Sequence, residues 1–118
     1  MKVYSISQVS QETALSHHTL RYYENSGLLP NIIKDSAGRR TYTESDMRAL
    51  KFIKVLRGTN MPIKQIREYG QLYIQDKKTV KRRKGLLEEH RAKILEEIQF
   101  QKKCLKIIEA KIESTFDL

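Results

Sequence analysis

Apolar and polar positions alternate along this chain with periods that change from segment to segment, and the changes predict its elements. Ile6, Val9 and Ala14 mark a short amphipathic helix. Ser5 is its N-cap, with Gln8 three residues on completing a capping box, and the helix ends near Thr13. Ser16 is a second N-cap, because its side-chain oxygen can accept from the free N–H groups of a first turn. The helix it opens runs to about Ser26, and Gly27 suits the left-handed position just beyond. Two short helices split by about three residues make a helix-turn-helix.

In NIIKDSAGRRTY the turn residues Asp35-Ser36-Ala37-Gly38 separate two short extended runs. They predict a small hairpin with Arg39 and Arg40 just past its tip. Thr43-Glu44-Ser45-Asp46 opens a third helix, with Thr43 as cap and two acids near the positive end of the helix dipole. Met47, Leu50, Ile53 and Leu56 form its apolar stripe, and Gly58-Thr59-Asn60 stops it. Pro62 starts a fourth helix, where a missing N–H is harmless. Ile63, Ile66, Tyr69 and Tyr73 are expected to face inward along it, and Gly70 weakens it.

From about Thr79 to about Glu113 there is no proline, and Gly85 is the only glycine. One seam reads Val80, Leu87, Ile94, Gln101 and Ile108; its partner seam reads Lys84, Arg91, Ile98, Leu105 and Ile112. Together they form a heptad pattern, polar at first and more apolar toward the end. A helix of about 34 residues extends roughly 50 Å. The preceding 75 or so residues fold into a globule about 30 Å across. The helix is therefore expected to overhang its own domain, and its apolar stripe needs another chain, most simply a second copy. Leu87, Ile94, Ile98, Leu105, Ile108 and Ile112 are the candidate dimerisation residues. The expected organisation is residues 1–75 as one domain and 76–118 as a coiled-coil dimerisation helix.

Composition sharpens this picture. Lys and Arg outnumber Asp and Glu by 23 to 14, and the net charge of +9 favours polyanionic partners. Cys104 is the one cysteine, which excludes an internal disulfide and a thiolate metal cage from one chain. The N-terminal residues lack a signal-peptide core, and no stretch approaches the roughly 18 apolar residues of a membrane span. A cytosolic protein without membrane partners is expected. No nucleophile–base pair, carboxylate dyad or phosphate-cradling glycine loop points to an enzyme, and no cofactor is implied.

The second helix carries the candidate chemistry. Ser16, His17, His18 and Thr19 stand at its N-terminal end, which enters the major groove first in a recognition helix. Arg21, Tyr22 and Tyr23 follow one turn later. Arginine can clamp a phosphate or a guanine edge, and a tyrosine hydroxyl can donate to phosphate. One of the two tyrosines is expected in the core, because adjacent helix residues point about 100° apart. His17 and His18 do not suit a metal ion, since neighbours on a helix do not converge. Arg39 and Arg40 look like a wing reaching the DNA backbone or a minor groove; a solvated hairpin tip is the alternative. The run Lys81-Arg82-Arg83-Lys84 reads as a solvated face at the start of a long helix.

Four motifs in order, HHTLRYYENSGLLP, GRRTY, ESDMRALKFIKVLR and MPIKQI, resemble the MerR family of transcriptional regulators. The resemblance spans Val3 to about Tyr73. The terminal RRKGLLEEHRAKILEEI and IIEAKIE resemble the dimerisation helix of the family's short members, which lack a separate effector domain. It implies a mostly α-helical chain: a winged helix-turn-helix followed by a long helix that dimerises as an antiparallel coiled coil. It further implies a dimer on an inverted repeat inside an over-long promoter spacer, distorting the duplex for RNA polymerase in response to a small effector of unassigned identity. Carried over by position, His18, Thr19, Arg21 and Tyr22 contact DNA, with Tyr23 a further candidate. Arg40 and Tyr42 match the wing motif, and Lys64 sits where the fourth helix approaches the backbone.

The sequence departs from the family pattern in places. Ala14 stands where many relatives have a turn glycine, so strain is expected there. The cysteines of metal-sensing members, at the start and end of the long helix, are missing, and Val55 occupies the third-helix position where thiol-responsive members carry a cysteine. Cys104 lies within the expected coil; nearby Lys102, Lys103 and Lys106 favour a reactive thiolate, whereas cysteine in apolar surroundings is inert. A basic helical scaffold or nucleic-acid-binding protein without promoter-specific regulation is the alternative function.

Overall fold

The structure is a computed structural model and describes residues 2–29 and 32–114. Pro30 and Asn31, which open the expected hairpin segment, and residues 115–118, which close the expected dimerisation segment, lie outside them. The chain divides into two compact units, Met1–Thr79 and Val80–Leu118. In chain order the first contains β1 (Val3–Ser5), α1 (Ile6–Thr13), α2 (His17–Asn25), β2 (Ile33–Lys34), β3 (Arg40–Thr43), α3 (Glu44–Gly58), α4 (Ile63–Ile74) and a 3-10 turn at Asp76–Thr79. The second is one helix, α5 (Val80–Glu113), of 34 residues.

Local side-chain chemistry sets most helix boundaries. At α1 the Gln8 N–H donates to Ser5 Oγ at 3.2 Å, and the Ser5 N–H donates to Gln8 Oε1 at 2.8 Å. At α2 the Thr19 N–H donates to Ser16 Oγ at 3.1 Å. Thr43 and Asp46 close a reciprocal box at α3, at 3.0 and 2.9 Å. Each such cap satisfies donors that a helix start leaves open, at about 1 kcal/mol apiece.

The helix ends are equally specific. Beyond α2, Gly27 has φ +78°. The Leu28 N–H reaches the Tyr23 carbonyl at 2.9 Å and the Gly27 N–H the Glu24 carbonyl at 3.2 Å. This is a Schellman closure, and it buries Leu28 and Leu29 beneath the helix. α3 ends the same way, but not where Gly58-Thr59-Asn60 would first allow. Gly58 stays helical, and Asn60 takes the left-handed position with φ +68°. Asparagine tolerates that conformation. The delay lets Met61 bury and its N–H bond the Leu56 carbonyl at 2.9 Å. The α1–α2 turn contains Ala14 at φ +61°, ψ +21°, a left-handed alanine as the expected strain required.

The sequence pattern did not reveal β1. Residues 3–5 are too short to show a period, and the strand exists because β3 pairs it. β3 is the centre of an antiparallel sheet ordered β1-β3-β2, with Tyr4 opposite Tyr42 and Ile33 opposite Thr41. The core of this unit includes Val9, Leu20, Tyr23, Leu50, Ile53, Leu56, Met61 and Ile66. Each such side chain contributes about 1.5–3 kcal/mol by leaving water. The α3 stripe is buried at all four expected positions, Met47, Leu50, Ile53 and Leu56. On α4 the inward expectation fails for Tyr73, which is 60% exposed. Ile66 is the deepest position of that helix, and its last turn runs beyond the core.

Candidate nucleic-acid interface

The core fixes which face of α2 is free. Leu20 and Tyr23 are buried, three residues apart on one side. The helix period then turns His18, Arg21 and Tyr22 to solvent, with Tyr22 45% exposed, while His17 and Thr19 are half-buried. Ser16 is engaged as cap: besides accepting from the Thr19 N–H, its hydroxyl donates to Thr19 Oγ1 at 2.9 Å. The exposed face thus offers an imidazole, a guanidinium and a phenol at the open end of a helix.

The hairpin is built by Asp35. Its backbone pairs with Arg39 and Gly38, at 2.8 and 2.9 Å, across a three-residue loop with Gly38 at φ +78°. Its carboxylate accepts from the Ala37 and Arg39 N–H groups, both at 2.9 Å. The Arg39 N–H foremost holds this carboxyl below its ordinary range. Arg39 is left largely in solvent, and Arg40 turns the other way, where its Nε donates to Glu24 of α2. Lys64 is exposed in the first turn of α4.

A three-residue turn between two short helices, an exposed imidazole, guanidinium and phenol on the second, and a hairpin with two arginines after it constitute a winged helix-turn-helix. The family profile for MerR helix-turn-helix regulatory proteins matches residues 4–72, and that for the MerR DNA-binding region matches residues 47–113. The chain belongs to the MerR family. Among curated relatives, the HTH-type transcriptional regulator AdhR of Bacillus subtilis is 36% identical over 92 residues, 78% of this chain and 66% of that protein. The uncharacterised HTH-type regulator YyaN of the same organism is 45% identical over 69 residues, 58% of this chain and 50% of that protein. The chain therefore spans between half and two thirds of the length of these two relatives. Among solved structures, HiNmlR, a MerR family regulator lacking the sensor domain and bound to promoter DNA, superposes with a TM-score of 0.87 at 28% identity, covering 95% of this chain and 89% of that one. A MerR family regulator from Bacillus thuringiensis gives 0.86 at 31% identity over 95% of this chain and 98% of that one.

In this MerR chain two expected contact residues sit elsewhere. Tyr23 is the core member of the tyrosine pair, 6% exposed. Tyr42 is wholly buried on β3, and among the described residues its hydroxyl has no protein hydrogen-bond partner. Burial first, and then the nearby Glu24 carboxylate, push its phenol above the ordinary range. The Tyr23 ring lies 6.1 Å from that of the exposed Tyr22, centroid to centroid. On α5, Ile98, Leu105, Ile108 and Ile112 are exposed, Leu87 and Ile94 less so. Leu95, Phe100 and Ile107 are exposed as well, outside the expected seam. Cys104 is a half-buried free thiol. Among the described residues no group of His, Cys, Asp and Glu could hold a metal ion, and no helix is long and apolar enough to cross a membrane.

Among the long-range interactions that the sequence pattern missed, three meet at the ends of the first two helices. Glu24 pairs with Arg40, Arg67 Nε donates to the Ser26 carbonyl at 2.7 Å, and Lys54 Nζ donates to the Thr13 carbonyl at 2.7 Å. One signal was available. Neither α1 nor α2 has a basic residue in its last turn, where a helix favours positive charge. The cations come instead from α3, α4 and β3.

Proposed function

We propose that this chain is a homodimeric transcription regulator that binds an inverted repeat in duplex DNA and controls a promoter by distorting its over-long spacer. Residues 1–75 serve as the DNA-binding part and 76–118 as the dimerisation part, whose helix is α5 (Val80–Glu113). The observation that carries the reading is α2: in a MerR-family helix-turn-helix it is fixed by Leu20 and Tyr23 and turns His18, Arg21 and Tyr22 outward. The promoter-DNA complex of HiNmlR supports extending that role to this chain.

In this reading His17, His18 and Thr19 approach base edges, Arg21 and Tyr22 reach bases or phosphate, and Ser16 orients them as cap. Arg39 at the hairpin and Lys64 on α4 contact the backbone. Two α5 helices pair antiparallel through Ile94, Ile98, Leu105, Ile108 and Ile112, with Leu87 at the polar end. The spacing of two heads then sets the spacing of half-sites, and protein contacts offset the cost of deforming the duplex. RNA polymerase is the downstream partner.

Selection of bound duplexes from a randomised pool tests the reading. An enriched inverted repeat is expected. Arg21→Ala should weaken binding and lower the logarithmic salt slope by about 0.9 for each phosphate that is no longer neutralised. Equal binding to random and palindromic duplexes would favour a basic scaffold instead.

A further inference from the structure

We infer that Glu24 and Arg40 form a positioning pair that sets the angle between the recognition helix and the wing, so that Arg40 serves DNA binding through Glu24 and not by gripping phosphate. The inference rests on the reading that α2 and the hairpin bind duplex DNA together.

Neighbouring arginines in the wing face opposite ways. Arg39 pairs with Asp35 within its own hairpin, at 3.3 Å, and its side chain is 80% exposed. Arg40 opens β3, and Tyr42 follows two residues later on the same side of the strand. Tyr42 is wholly buried, so that side points inward, and Arg40 reaches Glu24 with only 25% of its side chain exposed. The Glu24 side chain is 20% exposed. The two partners are sixteen residues apart and belong to different elements. A shielded pair of this kind constrains geometry in a way that a solvated surface pair does not.

The position of Glu24 argues the same way. It is the only acid in α2, and it lies in the last turn, where the helix carbonyls disfavour an anion. A carboxylate there is unfavourable unless a cation answers it. Arg40 answers it from β3, and Arg67 holds the adjacent Ser26 carbonyl from α4. The C-terminal end of the recognition helix is thus attached to the wing on one side and to α4 on the other. A carboxylate beside a DNA-binding face also repels phosphate, so its presence opposes binding unless it acts through geometry.

That last point gives a test by sign. Glu24→Gln removes a negative charge near DNA and keeps the side chain's size. If Arg40 is a phosphate ligand held back by Glu24, binding tightens; if the pair is a positioning device, binding weakens. Glu24→Gln, Arg40→Gln, the double variant and Arg40→Lys are made in the full chain and titrated with the selected duplex at several salt concentrations. We expect each single Gln variant to lose about tenfold in affinity, the worth of one charge-assisted hydrogen bond. The double variant should be no worse than either, and all salt slopes should match the parent. Tighter binding by Glu24→Gln, or a slope lowered by about 0.9 per protomer in Arg40→Gln, would overturn the inference. Circular dichroism verifies folding. If Glu24→Gln does not fold, the slopes of the two Arg40 variants decide: unchanged supports the pair, reduced refutes it. A parent protein that prefers no duplex would instead refute the proposed function.

Discussion

The head, Met1–Thr79, and the helix α5 solve opposite problems. The head closes on itself. Its helices carry side-chain caps at three starts and Schellman closures at two ends, and its core spans from Val9 to Ile66. α5 buries His90 alone and leaves Leu95, Ile98, Phe100, Leu105, Ile107, Ile108 and Ile112 exposed. A helix in a protein owes most of its stability to the packing of its apolar face. A helix of 34 residues with that face open is therefore half of a structure. The difference teaches where specificity is stored. In the head it lies in contacts within one chain; in α5, under the proposed function, it lies in a surface that a second copy completes.

Breaking the α5 surface should have the largest effect. Ile98→Lys combined with Leu105→Lys is expected to convert dimer to monomer in sedimentation at micromolar concentration. Palindromic DNA affinity should then fall by about 10²–10⁴-fold, because two linked heads bind with avidity that separate heads lack. An intact dimer would remove the coil from the account. In the head, Leu20→Ala empties a fully buried site and should cost about 2–5 kcal/mol in denaturant unfolding, leaving sedimentation of α5-paired chains unchanged where the variant still folds.

Two smaller tests sharpen the picture of the head. Ala14→Gly relieves a left-handed alanine and should raise stability by about 1 kcal/mol in the same assay. A loss would mean that the turn gains more from the methyl group than it pays in strain. Tyr42→Phe removes a hydroxyl that is buried without a protein partner, so stability and DNA affinity should change by less than about 1 kcal/mol. A clear drop in affinity would return Tyr42 to the contact surface.

What could be read from the sequence follows the range of the physics. Ser5 with Gln8, Ser16, and Thr43 with Asp46 act over three residues, and so the starts of three helices were visible. The α3 stripe was visible because one period places Met47, Leu50, Ile53 and Leu56 on one face. Asn60 was harder: its choice over Gly58 depends on burying Met61 under Leu56, a packing decision. β1, Tyr42 and the Glu24–Arg40 pair depend on register and contact across the sheet, which no local pattern encodes. At the interface, the residue types on α2 pointed to DNA, but only the core decided that Tyr22 faces out and Tyr23 in.

Lys54 and Arg67, which hold the carbonyl ends of α1 and α2, lie outside the two helices they finish. The reading motif is therefore not a separable cassette. A peptide covering only the turn and its two helices would lose both of these outside lids, and would fray in water. Transplanting this specificity into another scaffold requires carrying the third and fourth helices along with it.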